Sequence, residues 1–248
     1  RPMLIQYGYW LFSALRGDFG ESYYFRLPVA SLIFERLGVT MTLGVCGISF
    51  ALLTAVPLGV AAAIRPNSII DRVALFLSVA GQAMPSFWFG LILIVLFAIK
   101  LGWLPPSGAS SPAHFIMPTI VLGYYAMPAI MRLTRAGMLD VLSSDYIRTA
   151  RAKGAPEGRI LFRHALRNAI IPVVSLAAVQ MGFMLGGSIV VESIFALHGA
   201  GYLAWESIAR NDLPTVQALI LVFSMFYIVF TFLADVLNAW LDPRMRSS

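Results

Sequence analysis

The chain has 248 residues, of which 59% are hydrophobic and 12% charged, and its formal net charge is +6. Soluble domains are about 45–50% apolar and about 25% charged. This chain therefore lacks the polar residues to cover a globular surface, which excludes an ordinary soluble enzyme and a disordered protein. In an integral membrane protein, excess basic residues mark cytoplasmic loops rather than nucleic-acid contacts.

Residues 1–36 contain no span and carry Arg1, Arg16, Arg26 and Arg36. Five uncharged runs follow, at 37–64, 73–99, 115–131, 168–191 and 213–234. A spanning helix needs about 17–25 apolar residues, so the fold class is all-α integral membrane with five transmembrane helices. The third run is the shortest and holds Pro118 and Pro128. Cys46, the one cysteine, lies in the first run and forms neither an internal disulfide nor a metal cluster.

The segments that follow the first, third and fifth spans lie on one side of the membrane. They hold Arg65, Arg72, eight basic residues between Arg132 and Arg167, and Arg244 and Arg246. That is twelve of the eighteen Lys and Arg residues, so this side is cytoplasmic and the C-terminus with it. Residues 1–36 then form an extracytoplasmic segment. Residues 37–248 form the membrane domain, with a cytoplasmic loop at 132–168. Because the chain starts outside at Arg1, a further span is expected upstream of it; a cleaved signal peptide is the alternative.

No Asp, Glu, Lys or Arg lies inside the five runs, which argues against a proton-coupled carrier. Sodium sites built from carbonyls and hydroxyls stay open. The pattern Gly-x-x-x-x-Gly-Lys-Ser/Thr is absent, so the chain has no P-loop for ATP. His114, His164 and His198 fall in three different segments and make no common metal site. Neither a catalytic residue nor a cofactor site is expected.

Pro57, Pro85 and Pro128 interrupt the runs, and Met84-Pro85-Ser86 follows Gly81. They read either as kinks lining a pathway or as packing irregularities. Gly182 and Gly186 are spaced for close helix packing. Between the third and fourth runs, Ser144 or Asp145 is placed to cap a short helix. Arg151 and Lys153 suit its last turn, Gly154 its left-handed end and Pro156 the start of a second helix. Arg159, Arg163 and Arg167 recur every fourth residue. Such a helix–turn–helix is either a rigid lever to a soluble partner or a basic hairpin lying on anionic lipid headgroups.

The stretch Asp145-Tyr-Ile-Arg-Thr-Ala-Arg-Ala-Lys-Gly154, with Arg163-His-Ala-Leu-Arg-Asn and Ile171-Pro172, resembles the EAA loop of bacterial ABC importer permeases. More closely, it resembles the dipeptide/oligopeptide/nickel branch. Leu15-Arg-Gly-Asp-Phe-Gly20, Met84-Pro-Ser-Phe-Trp88, Leu101-Gly-Trp-Leu-Pro105, Val191-Glu-Ser-Ile-Phe195 and Leu241-Asp-Pro-Arg244 agree with it. Arg148 stands where the general motif has glutamate, as in the peptide branch.

The resemblance implies a type I importer permease, normally with a further N-terminal span, in the bacterial inner membrane. Its partners would be a homologous second permease subunit, two ATP-binding cassette subunits that bind the ATP, an extracytoplasmic substrate-binding protein and membrane lipids, with no nucleic acid. Asp145, Tyr146, Arg148, Thr149, Ala150, Arg151, Lys153 and Gly154 would contact the ATPase. Pro57, Met84, Pro85, Ser86, Pro128, Gly182 and Gly186 are pathway or kink candidates. Glu192, Glu206 and Asp212 are expected either to dock the binding protein or to be solvated charges. Dipeptide, longer peptide, glutathione-like peptide and nickel chelate are all open as substrate. A self-contained ion-coupled carrier is the rival from another class.

Overall fold

The computed structural model describes residues 2–241, so Arg1 and the expected basic tail with Arg244 and Arg246 lie outside the described residues. In chain order the helices are α1 (Met3–Leu15), α2 (Val29–Ile64), α3 (Ile69–Ala83), α4 (Ser86–Leu93, continued by a π-helical stretch Ile94–Lys100) and α5 (Ala113–Leu142). Then come α6 (Asp145–Ala152), α7 (Glu157–Arg159), a π-helical stretch Ile160–Ala165, α8 (Leu166–Ala169), α9 (Ile171–Ile194), α10 (Ala200–Ala209) and α11 (Leu213–Leu241). Among the described residues the only β-type pairing is an isolated bridge between Glu21 and Pro28. Lipid cannot satisfy backbone groups, so apolar runs of this length fold as helices.

Four helices, α2, α5, α9 and α11, are individually long and apolar enough to span. The second expected span is a bent pair instead: α3 and α4 meet at 105°. Met84 at the bend is extended, with φ −87° and ψ 125°. Pro85 disfavours helical geometry in the residue before it, so the break falls there. Three other prolines of the runs do not act this way. Helix α2 runs through Pro57, and α5 runs through both Pro118 and Pro128.

Helix ends differ from the expected ones in two places. Helix α2 begins at Val29, so the boundary expected between residues 36 and 37 falls inside a helix. Helix α5 runs on to Leu142 and carries Arg132 and Arg135, which were expected in the cytoplasmic loop.

Helix α5 is the axis of the molecule. More than half of its apolar window, 56%, is buried, against 11% for α11 at the periphery. The core cluster joins Leu43, Ala51 and Ala55 of α2 to Val121, Ala126 and Ile130 of α5, with Val173, Met184 and Val191 of α9. Small residues set the α2–α5 spacing. A Cβ on Gly123 would lie 2.5 Å from the Gly47 carbonyl oxygen and 2.7 Å from the Phe50 ring. The nearer of these contacts is backbone, which cannot retreat without displacing α2. Gly123→Ala is expected to cost about 2 kcal/mol by overpacking, measured as a lowered unfolding midpoint in detergent.

Tyr7 and Trp10 of α1 face Gln217, Ile220 and Leu221 of α11 across a shallow groove.

Candidate functional site

A cavity of about 940 Å³ opens between α4, α5, α9 and α11. Its wall is mainly apolar, with polar groups from Ser86, Tyr125, Gln180, Ser224 and Tyr227. The 105° bend positions Ser86 as the first residue of α4, facing this space. Gly182 and Gly186 line it too, and they act differently. A Cβ on Gly182 would lie 2.7 Å from the Tyr227 ring, so Gly182 is a packing glycine between α9 and α11. A Cβ on Gly186 meets nothing within 4 Å, so Gly186 is open wall.

Of the seven pathway candidates, the structure thus brings Ser86, Gly182 and Gly186 together. Pro57, Met84, Pro85 and Pro128 do not line the cavity. Pro128 packs beside Gly81, where an added Cβ would sit 3.1 Å from its ring. Tyr125, Gln180 and Tyr227 are cavity residues that sequence reasoning misses. Their signal there is a polar group within an apolar span, which packing hydroxyls and amides share.

At the other end, α6 to α8 form the expected helix–turn–helix. Gly154 has φ +78°. Its N–H donates to the Arg151 carbonyl at 2.9 Å, and the Ala155 N–H donates to the Ala150 carbonyl at 3.1 Å. This pair of bonds is a Schellman end, which needs a left-handed residue after the helix. Arg151 donates to both carboxylate oxygens of Glu157, at 2.8 and 3.3 Å, and so straps α6 to α7 across the turn. That hydrogen bonding holds the Arg151 guanidinium pKa above its ordinary value. The Tyr146 hydroxyl accepts from the Asn168 amide at 2.9 Å, which ties α6 to α8.

Ile147, fully buried, anchors α6, whereas Asp145, Arg148, Thr149, Arg151, Lys153 and Gly154 are exposed. Arg148 is not held out for a partner's acid: it pairs with Asp145 at 2.6 Å, both side chains being largely exposed. Exposed pairs of this kind contribute little and exchange readily. Pro156 stands one residue before α7 as its cap rather than in its first turn. Ser144 takes the cap position of α6 without a side-chain capping bond; its hydroxyl donates to the Val141 carbonyl instead. Arg159, Arg163 and Arg167 are all exposed, but the π-helical stretch between them widens the expected four-residue repeat.

Two of the three outer acids depart from expectation. Glu192 and Asp212 are fully buried, so neither is a docking point nor a solvated charge. Both lie outside the apolar runs of the sequence, but each is consumed by hydrogen bonds within the chain. Asp212 accepts from the Ser22 hydroxyl at 2.5 Å, the Tyr23 N–H at 2.8 Å and the Thr215 hydroxyl at 2.7 Å. It thereby clips the N-terminal segment to the start of α11. Glu206 is half-buried and faces Arg36 at 3.6 Å.

A further ion pair, with no signal in the sequence, closes the inner end. Asp71, in the first turn of α3, accepts from Arg135 of α5 at 2.6 and 2.8 Å and from the Asn67 N–H at 2.9 Å.

Known proteins share this arrangement of a cavity between long apolar helices and an exposed helix–turn–helix at one end. Residues 55–247 match the family model described as "binding-protein-dependent transport system inner membrane component". The chain belongs to that family. It is an ABC importer permease subunit. Among curated relatives, the glutathione transport system permease protein GsiC of Escherichia coli strain K12 is 42% identical over 246 residues. That alignment covers 99% of this chain and 80% of the relative. The protein of the same name from Salmonella typhi is also 42% identical, with the same coverage.

Solved structures share the permease fold. A chain of the inward-facing MetNI methionine ABC transporter superposes with a TM-score of 0.71 at 19% identity, covering 85% of the permease and 96% of that chain. A chain of an amino acid ABC transporter solved with histidines gives 0.64 at 16% identity, covering 84% and 94%.

Proposed function

We propose that this permease subunit forms half of the translocation pathway of an ATP-driven importer for short peptides, with glutathione or a dipeptide as the first candidates. A homologous second permease subunit would supply the other half. Two ATP-binding cassette subunits would bind ATP and engage α6, and an extracytoplasmic binding protein would deliver the solute. In this reading the segment 1–36, which includes the start of α2, lies on the extracytoplasmic side and the C-terminus lies in the cytoplasm.

The helix–turn–helix carries the proposal. Its buried apolar residues, Ile147 in α6 and Ile160, Ala165 and Ala169 beyond the turn, fix it to the long helices, while the exposed face of α6 presents Thr149, Lys153 and Gly154 beside the readily exchanged Arg148–Asp145 pair. A lever needs both halves: a rigid attachment and a free contact face. The identity to GsiC supports the peptide class, and the cavity's apolar wall with scattered hydroxyls and amides suits a peptide better than a bare ion.

The test is extraction of the complex in mild detergent, identification of co-purifying chains, and reconstitution with ATP inside vesicles. Uptake of glutathione or dialanine that requires both ATP and a binding protein is the expected result. A chain recovered alone and folded, with uptake driven by an ion gradient, would replace this reading with the self-contained carrier.

Gly186 offers a sharper check. Because its Cβ would meet nothing in this chain, Gly186→Leu is expected to leave subunit stability unchanged within about 0.5 kcal/mol. Uptake by the assembled transporter is expected to fall several-fold, because the added side chain projects into the pathway. Unchanged uptake would place the pathway elsewhere.

A further inference from the structure

The buried acid Glu192 is unexplained by the pathway and by the helix–turn–helix, and everything around it is built to hold it. It lies near the end of α9, next to Val190 and Val191, which line the cavity. One carboxylate oxygen accepts the Thr40 hydroxyl of α2 at 2.7 Å, and the other accepts the Tyr202 N–H of α10 at 2.7 Å. Thr40 in turn accepts the Ala200 N–H at 2.8 Å, so the first turn of α10 is capped by both side chains together. Thr40 and Glu192 are both fully buried.

The glycines flanking this point are dictated by the carboxylate. A Cβ on Gly199 would lie 2.6 Å from both the Glu192 Oε2 and the Thr40 Oγ1. One on Gly201 would lie 2.9 Å from the Ser188 Oγ and 3.0 Å from the Glu192 carboxyl carbon. The turn between Glu192 and α10 is closed by the Leu197 N–H donating to the Glu192 carbonyl at 2.9 Å. Within that turn Phe195 packs on Gly90 of α4, and its carbonyl accepts the Gly108 N–H of the outer loop at 2.9 Å.

Three outer elements therefore converge on one short segment: α10, the loop after α4, and the outer end of α2. Apolar packing would fasten α10 at lower cost, since an ionisable group in a span is expensive and is a functional-site candidate by default. A carboxylate held by two discrete hydrogen bonds, one of them from a hydroxyl that itself accepts the Ala200 N–H, differs from packing in having defined made and broken states. Helix α10 also keeps Trp205 and Ile208 exposed on its outer surface.

We infer that Glu192 and Thr40 are positioning residues that link the outer surface formed by α10 to the cavity wall formed by α9, so that engagement of the binding protein outside is passed to the pathway through this clasp. The inference rests on the importer reading above. The clasp touches no solute. It acts by fixing where the first turn of α10 sits relative to Val190 and Val191.

The experiment uses the assembled transporter in lipid vesicles with its binding protein, saturated with glutathione or, in parallel, dialanine. The readout is the factor by which the loaded binding protein stimulates ATP hydrolysis, together with its affinity for the complex. Thr40→Val keeps the shape and removes both hydrogen bonds; Thr40→Ser restores them. The stimulation factor is expected to fall about tenfold in Thr40→Val, within the span of ordinary coupling free energies, with affinity changed less than about twofold. Thr40→Ser is expected to recover it.

A merely structural clasp would lower assembly, affinity and hydrolysis together and leave the ratio intact. An unchanged ratio, or a loss that tracks affinity, overturns the inference. If Thr40→Val does not assemble, Glu192→Gln is measured by the same ratio: a fall at constant affinity supports the clasp, and an intact ratio overturns it. An unmodified complex that no binding protein stimulates would overturn the importer reading itself, which is a different result from an intact ratio in the variants.

Discussion

Asp71→Ala is expected to destabilise the inner end of the permease subunit by about 3 kcal/mol, the range found when one member of a buried ion pair is removed. Asp71 is 3% exposed and Arg135 22% exposed at the side-chain level. Both guanidinium contacts are short, 2.6 and 2.8 Å, and run side by side. The geometry is the two-pronged one in which arginine binds carboxylate most strongly. Asp71 also accepts the Asn67 N–H at 2.9 Å, and that residue has φ +63°. Loss of the carboxylate thus strands a charge on α5 and releases the strained turn between α2 and α3.

The cost comes from the orphaned guanidinium more than from any net strength of the pair. Asp71→Leu combined with Arg135→Met should therefore recover most of the loss. Unfolding of the purified subunit in detergent, read as a four-member mutant cycle, checks this. If each single variant costs under about 0.5 kcal/mol, the pair is dispensable and the α3–α5 contact rests on packing alone.

The apolar runs are legible in the sequence because lipid leaves a long apolar stretch few alternatives to a helix, although α2 and α5 run past the charges that border those runs. Gly154 is legible for a similar local reason: a cationic helix end followed by glycine and then proline specifies a left-handed stop within a few positions. The bend at Met84-Pro85 is visible as an interruption, yet nothing local tells it apart from Pro57 and Pro128. Those two are accommodated within α2 and α5, and Pro128 by a neighbour on another helix, Gly81.

The acids are illegible for the opposite reason. Glu192 and Thr40 are 152 positions apart, and Asp71 and Arg135 are 64 apart. Charge outside an apolar run reads as solvated until the fold supplies a distant partner. Gly199 and Gly201 leave room for the Glu192 carboxylate, a purpose that no local sequence pattern shows. The extension of α5 through Arg132 and Arg135 is hidden in the same way. Arg132 donates to Gln82 at 3.1 Å and Arg135 to Asp71, so two positive charges that resemble the start of a loop are fastened to α3 instead.

Gly154→Pro is expected to abolish uptake while ATP hydrolysis by the assembled complex continues. Three local effects act together. Proline fixes φ near −65°, whereas Gly154 has φ +78°. It removes the N–H that donates to the Arg151 carbonyl at 2.9 Å. It also disfavours helical geometry in the residue before it, and Lys153 sits at φ −78°, ψ 2° at the end of α6.

Strain at a left-handed position costs about 1–2 kcal/mol and a lost hydrogen bond about 1 kcal/mol, enough to outweigh what a single surface-exposed turn gains. The Schellman end then opens, and the Arg151–Glu157 strap across it loses its geometry. Helix α6 stays anchored by Ile147 but no longer holds a fixed angle to α7 and α8. ATPase closure would turn α6 without turning the spans. Substitutions at this position should rank by their tolerance of positive φ, uptake falling from Gly through Asn and Ala to Pro. Uptake and hydrolysis measured on the same vesicles give the ratio that decides it. A proline variant that imports solute at the unmodified rate would show that α6 is not the lever, whatever it touches.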